Sequence, residues 1–102
     1  MTRKEALAEL IAKVEAGTDL FPSHFPPLFK GTQWAIRAYE GSLDAAKALH
    51  EAVLPDEFVM VAQVAHDPAW QATIWGESLY AETPARAWLL AILKALHSME
   101  AQ

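Results

Sequence analysis

Residues 57–66, EFVMVAQVAH, are the stretch whose reading decides the fold. Phenylalanine, valine and methionine in this density suit a pleated backbone better than a helix. Both alternating sets are apolar: Phe58, Met60, Ala62 and Val64 on one side, Val59, Val61 and Ala65 on the other. A strand of that kind is expected to be covered on both faces. Asp67 and Pro68 then turn the chain, and Trp70 to Trp75 resumes extended character, which predicts an antiparallel hairpin. Gly76 closes the second run, and Ser78 to Ala81 adds a short third strand.

Working toward the C-terminus, Thr83 stands as N-cap with Pro84 at the first helical position, and strong helix formers continue to about His97. Only Arg86, Lys94, His97 and Ser98 form a polar stripe on this helix. Trp88, Leu89, Ile92, Leu93, Ala95 and Leu96 fill the rest, and burying each large side chain contributes roughly 1.5 to 3 kcal/mol. The helix is therefore expected to anchor the core. Working back toward the N-terminus, Ser42 caps a helix with Leu43, Ala46, Leu49, His50 and Val53 on one side and Asp44, Lys47 and Glu51 on the other, ended by Pro55. His50, on the apolar side, reads as a core histidine.

The first helix carries a capping box of Thr2 and Glu5, an apolar stripe of Leu7, Leu10, Ile11 and Val14, and a stop at Gly17. Between it and Ser42, Pro22, Pro26 and Pro27 interrupt an aromatic series of Phe21, Phe25 and Phe29, with Leu20 and Leu28 between. Proline removes an amide donor and disfavours helix in the residue before it, so this stretch is expected to be irregular. Trp34 to Tyr39 fits a short helix behind Thr32 or a brief strand. The aromatic residues either fold back and complete the core or protrude as anchors for a partner. Phe21, Phe25, Phe29 and Trp34 are thus the candidate partner-binding residues.

The expected class is α+β: a small antiparallel sheet of two or three strands flanked by helices, with an additional N-terminal helix. Residues 1–102 read as one domain, comprising an N-terminal helix (1–17), an aromatic and proline-rich segment (18–41) and a helix–hairpin–helix core (42–98). A chain of 102 residues, 53% hydrophobic, has the material for one core.

GSLDAAKAL from Gly41, the proline after that helix, a strand pair carrying a tryptophan, and TPARAWLLAILKAL from Thr83 resemble the phage and prophage α-β-α sandwich domains, a family of small phage proteins. LIAKVEAG of the first helix extends the resemblance, which omits only the aromatic segment. It implies a sheet flanked by helices and carries no reaction or motif-defined site to transfer. The family shows a tryptophan-bearing segment soon after the proline, whereas here Asp56 and Glu57 lead directly into the strand.

Thirteen acidic against eight basic residues give a formal charge of −5, which opposes binding to nucleic acid and anionic membranes. The cations are scattered, with only Arg3 and Lys4 adjacent. The helix–three strands–helix order from Ser42 has the outline of double-stranded-RNA-binding domains, yet that use needs cations at the start of the last helix, where Arg86 stands alone behind Glu82. Absence of cysteine excludes disulfides, thiolate nucleophiles and thiolate metal sites, and fits a cytoplasmic location. The N-terminus lacks the apolar core of a signal peptide, and the longest apolar run, Ala87 to Leu93, is too short to span a bilayer.

Chemistry-bearing residues are sparse. His24, His50, His66 and His97 lack paired metal-ligand spacing. His66 beside Asp67 reads as a turn-capping pair, with a base or metal ligand as the alternative. Glu77 and Glu82 flank the third strand as a nominal carboxylate pair. Ser78 lacks a nucleophile elbow, and Gly31-Thr32 lacks phosphate-loop spacing. No cofactor is expected. The leading functional expectation is a non-catalytic phage or prophage accessory protein that binds another protein, as a homodimer or through the aromatic segment. The alternatives are an inhibitor of a host defence system, acting as a protein blocker or an acidic mimic of nucleic acid, and a small enzyme or ligand-binding domain with a pocket near His66 and Trp70.

Overall fold

The computed structural model describes residues 2–27 and 29–100, so Leu28 lies outside the described residues. Among the described residues, four α-helices and one three-stranded antiparallel sheet follow in the order α1 (Arg3–Ala16), a 3-10 turn (Pro22–His24), α2 (Thr32–Tyr39), α3 (Leu43–Val53), β1 (Met60–Gln63), β2 (Trp70–Ile74), β3 (Glu77–Ala81) and α4 (Pro84–Glu100). The class is α+β, with a helix at each end. Segment 18–41 is more ordered than its prolines suggest, since it holds both the 3-10 turn and α2; Trp34 to Tyr39 is helical.

Local chemistry sets the ends of these elements. Thr2 Oγ1 accepts from the Glu5 amide at 3.1 Å while Glu5 Oε1 accepts from the Thr2 amide at 3.0 Å, completing the capping box of α1. Ser42 and Thr83 cap α3 and α4 through hydroxyls that accept from Ala45 and Arg86 amides at 3.1 Å. Gly31 precedes α2 with φ of +85°. A Cβ there would meet Leu49 Cδ1 at 2.8 Å and Trp34 Cε3 at 2.9 Å, so both backbone and space call for glycine.

The sheet is a meander, β1-β2-β3, with Met60 opposite Thr73, Val61 opposite Ala72, and Ala72 opposite Leu79. A cis Asp67-Pro68 peptide lies in the first turn. Trp75 and Gly76 form the second turn, between the paired residues Ile74 and Glu77, and both have positive φ, +54° and +77°. That is the signature of a two-residue type I′ turn, whose twist matches the flanking strands.

Helix α4 is the centre of the molecule. It packs against all three strands and also against α1, α2 and α3. Its apolar girth is explained by this position, because a helix with neighbours all round buries all round. Ala91 and Ala95 face Ile74 and Leu79 across a narrow cleft. On the remainder of its surface Leu89, Ile92 and Leu93 are fully buried in the helical layer. The molecule thus has three layers: sheet, α4, and the group α1 to α3.

That order corrects the expectation drawn from residues 57–66. The inner set of the sheet, Val59, Val61, Trp70, Ala72, Ile74, Leu79 and Ala81, packs against the core. Among the described residues no helix packs on the opposite face. Phe58 is 94% exposed and Met60 67% exposed, so the strand is covered on one side only and the helices do not enclose the sheet. Among the described residues no helix is long and apolar enough to cross a membrane.

Candidate interaction surface

The four aromatic candidates separate into two kinds. Phe25 and Phe29 are buried in the core with ring centroids 5.2 Å apart, so neither serves as a partner anchor. They fold over the helical layer near Arg3, whose guanidinium lies 6.0 Å from the Phe29 ring, and not over the sheet. Phe21 and Trp34 are exposed. Phe21 sits edge-on to His24, whose Nδ1 accepts from the Phe21 amide, while Trp34 leans on Gly31. The segment is secured by the Tyr39 hydroxyl, which donates to the Thr18 carbonyl at 2.7 Å.

Arg86, the one cation at the start of α4, is turned inward. Its Nε and Nη2 donate to the Tyr39 carbonyl at 3.2 and 2.9 Å, and its guanidinium stacks 4.0 Å from the Tyr39 ring centroid. This side chain holds α2 to α4 and is committed away from any phosphate.

His50 is a structural pivot. Trp88 Nε1, which can only donate, contacts His50 Nδ1 at 3.1 Å. Nδ1 is therefore the acceptor, the ring proton sits on Nε2, and Nε2 donates to the Glu57 carbonyl at 2.7 Å. The Glu57 carboxylate in turn accepts from the Trp75 indole. A hydrogen-bonded chain thus runs from α4 through α3 to the residue leading into β1 and on to the tip of the β2–β3 hairpin. Sequence periodicity placed His50 in the core but carried no information about this chain, whose links are 38, 7 and 18 residues apart.

The acid/base candidates are dispersed. Glu77 opens β3 and Glu82 follows its end, roughly 16 Å apart at the rise of an extended strand. His66 is exposed and rests against the Tyr80 ring with centroids 5.3 Å apart. No group of three or more histidines and carboxylates suited to a metal ion exists among the described residues.

The outer face of the sheet has a definite composition. Met60, Thr73 and Ser78 are aligned across the three strands, and so are Ala62, Gln71 and Tyr80. Along the middle, Gln71 Nε2 donates to Ser78 Oγ at 2.8 Å and to Thr73 Oγ1 at 3.3 Å, and Thr73 shares a hydrogen bond with Ser78 at 2.8 Å. These polar groups satisfy one another. Around them stand Phe58, Met60 and Tyr80, with the half-exposed Trp75 at the hairpin tip. Phe58 precedes β1 at the end of the sheet that carries the β2–β3 turn and Trp75.

Trp75 is the one non-glycine residue with positive φ among the described residues. Its position in a type I′ turn favours asparagine or glycine, and a bulky residue held left-handed is a strained choice. Strain of this kind gathers where a surface is used.

Charge is distributed as unevenly as burial. Between Leu54 and Thr83 lie Asp56, Glu57, Asp67, Glu77 and Glu82 and no lysine or arginine, while the eight carboxylates elsewhere balance the eight cations. The whole formal charge of −5 therefore belongs to the sheet segment. Among the described residues the ion pair is Arg3 with Glu100, at 3.5 Å, which leaves all five of these carboxylates without a cationic partner. This asymmetry was legible in the sequence, but only the open face gives it a place to act. Comparison with known proteins adds no relative: no family model, no curated protein and no solved structure matches this chain.

Proposed function

We propose that this chain is a non-catalytic protein-binding module whose contact surface is the open face of its sheet. The observation that carries the reading is the exposure of Phe58, Met60 and Tyr80 on a face that no helix covers. Leaving such side chains in water forgoes roughly 1.5 to 3 kcal/mol for each large group that burial would recover. Exposed apolar clusters with polar surroundings mark interaction sites. The alternation of β1 supports this view, since an antiparallel sheet whose second face only meets solvent places polar residues there. Here Met60 occupies an outward position on an edge strand and Phe58 stands exposed just before it, where they promote unwanted association unless a partner covers them.

Phe21 and Trp34 offer a second apolar exposure, on the helical side. They are separate residues on different elements, and each is tied to its own neighbour. The sheet face sets the most exposed of these side chains, Phe58 and Met60, two residues apart, and is therefore the assigned one.

The test is affinity capture from a lysate of the source cells with three immobilised forms: the unaltered chain, a Phe58→Ser/Met60→Ser variant, and a Phe21→Ser/Trp34→Ser variant. The expected outcome is a protein retained by the first and third forms and lost by the second. Retention by the second form with loss by the third transfers the function to the helical side, and recovery of no specific protein removes the proposal.

A further inference from the structure

We infer that the open sheet face docks a cationic segment of another protein, one in which lysine or arginine side chains flank an apolar centre, and not a second copy of this chain. The inference rests on the sheet-face reading above and names the chemistry of its partner. Asp56 and Glu57 stand at the end of the face that carries Phe58 and Trp75, while Asp67 and Glu82 stand at the opposite end, beside His66 and Tyr80; Glu77, paired with Ile74, belongs to the inner side. An apolar centre is thus bracketed by carboxylates at both ends, with no lysine or arginine from the strands or their turns between them.

Other elements do not neutralise this surface. Helix α4 packs beneath the opposite face, and its Lys94 lines the cleft with Ile74, Glu77 and Leu79 on that inner side. Arg86 is bonded to the Tyr39 carbonyl. The remaining cations, Arg3, Lys4, Lys13, Lys30, Arg37 and Lys47, belong to α1, α2, α3 and the segment between α1 and α2, and those three helices pack on α4.

Charge complementarity then selects the occupant. A two-fold pairing of this face with its own copy sets the same patch against itself. Four carboxylates would meet four, without a lysine or arginine in either segment, and like charges across an interface are costly. Nucleic acid and anionic lipid are repelled for the same reason. A cationic segment instead gains attraction at both ends and covers Phe58 and Met60 between them. The free edge of β1 adds unpaired backbone groups on which an extended partner can register.

The test selects peptides of about twelve residues, a length that spans a sheet of this kind, from an unbiased display library against the immobilised full chain. Enriched peptides are synthesised and titrated by fluorescence anisotropy, with light scattering to establish the mass of the chain alone. Expected are peptides rich in lysine or arginine around an apolar core, binding that weakens about tenfold or more in Phe58→Asp and in Asp56→Lys/Glu82→Lys, and further loss at high salt. Phe58 is almost wholly exposed, so Phe58→Asp retains the thermal transition and its binding defect reads the surface. Enriched peptides that lack basic residues but are lost in Phe58→Asp overturn the cationic partner and leave the sheet face standing. Peptides indifferent to Phe58→Asp, or no enrichment at all, overturn both. A dimer of the unaltered chain that dissociates in Phe58→Asp makes a second copy the occupant and overturns the inference.

Discussion

Phe21 and Phe25 lie four residues apart in the same proline-rich segment, and replacing each by alanine gives opposite expectations. Phe25 is 8% exposed and packs against Phe29 in the core, whereas Phe21 is 54% exposed and touches chiefly the His24 ring. Truncating a buried phenylalanine removes its transfer free energy and leaves a cavity that the surroundings fill only in part, at a cost of about 3 to 5 kcal/mol. A domain of this size is stable by about 5 to 15 kcal/mol, so Phe25→Ala consumes a large part of the total. Each kcal/mol moves the melting temperature of such a domain by about 4 to 8 °C, which sets the expected fall at about 12 °C or more. Phe21→Ala loses at most half of a full transfer term and leaves no enclosed void, about 1 kcal/mol, and so shifts the transition by only a few degrees. Thermal melts followed by circular dichroism, with chemical denaturation to give the free energy, measure both variants. Similar melting temperatures for Phe25→Ala and the unaltered chain would refute the placement of this segment in the core.

Ile92→Asp or Leu96→Asp introduces an unpaired charge among buried side chains of α4, and loss of a cooperative transition is expected in either variant. Gly31→Ala combines a left-handed backbone with contacts of 2.8 and 2.9 Å to Leu49 and Trp34, and should cost well over about 1 kcal/mol in denaturant melts; Gly17→Ala, at φ of +74° with open space around it, should cost only the backbone share. Trp75→Asn relieves a positive φ and gives up a half-exposed ring, so its stability should stay within about 1 kcal/mol of the unaltered chain while peptide binding falls. Hydrogen bonds from the Thr2 amide and hydroxyl region hold the Glu5 carboxyl below its ordinary value. Its stabilising contribution is therefore fully present above the unfolded value and lost as pH falls through the lowered folded one, and Glu5→Gln should flatten that acid-side slope in melts taken across the range.

Much of this protein is written locally. The capping box of Thr2 and Glu5, the hydroxyl caps Ser42 and Thr83, Pro84 at the first helical turn and the helical spacing of Leu7, Leu10, Ile11 and Val14 involve residues within a few positions of one another, so α1, α3 and α4 are readable without tertiary contacts. The all-round apolarity of α4 marked it as the central element for the same reason, since surface exposed on any side of that helix would be hydrophobic. The three strands and the tight turn at Gly76 follow from alternation and glycine. What neighbours cover each side does not. Apolar residues at both alternating positions of 57–66 describe a strand that is uncomfortable in water on two faces, and whether both are roofed depends on how many helices the chain can bring to the sheet. Here α1, α2 and α3 all find their apolar partner in α4, so none remains for the outer face, and Phe58 and Met60 stay exposed. The burial of Phe25 beside Phe29, the inward turn of Arg86, and the chain from Trp88 through His50 to Glu57 and Trp75 likewise join residues distant in sequence, and only the folded packing brings them within bonding distance.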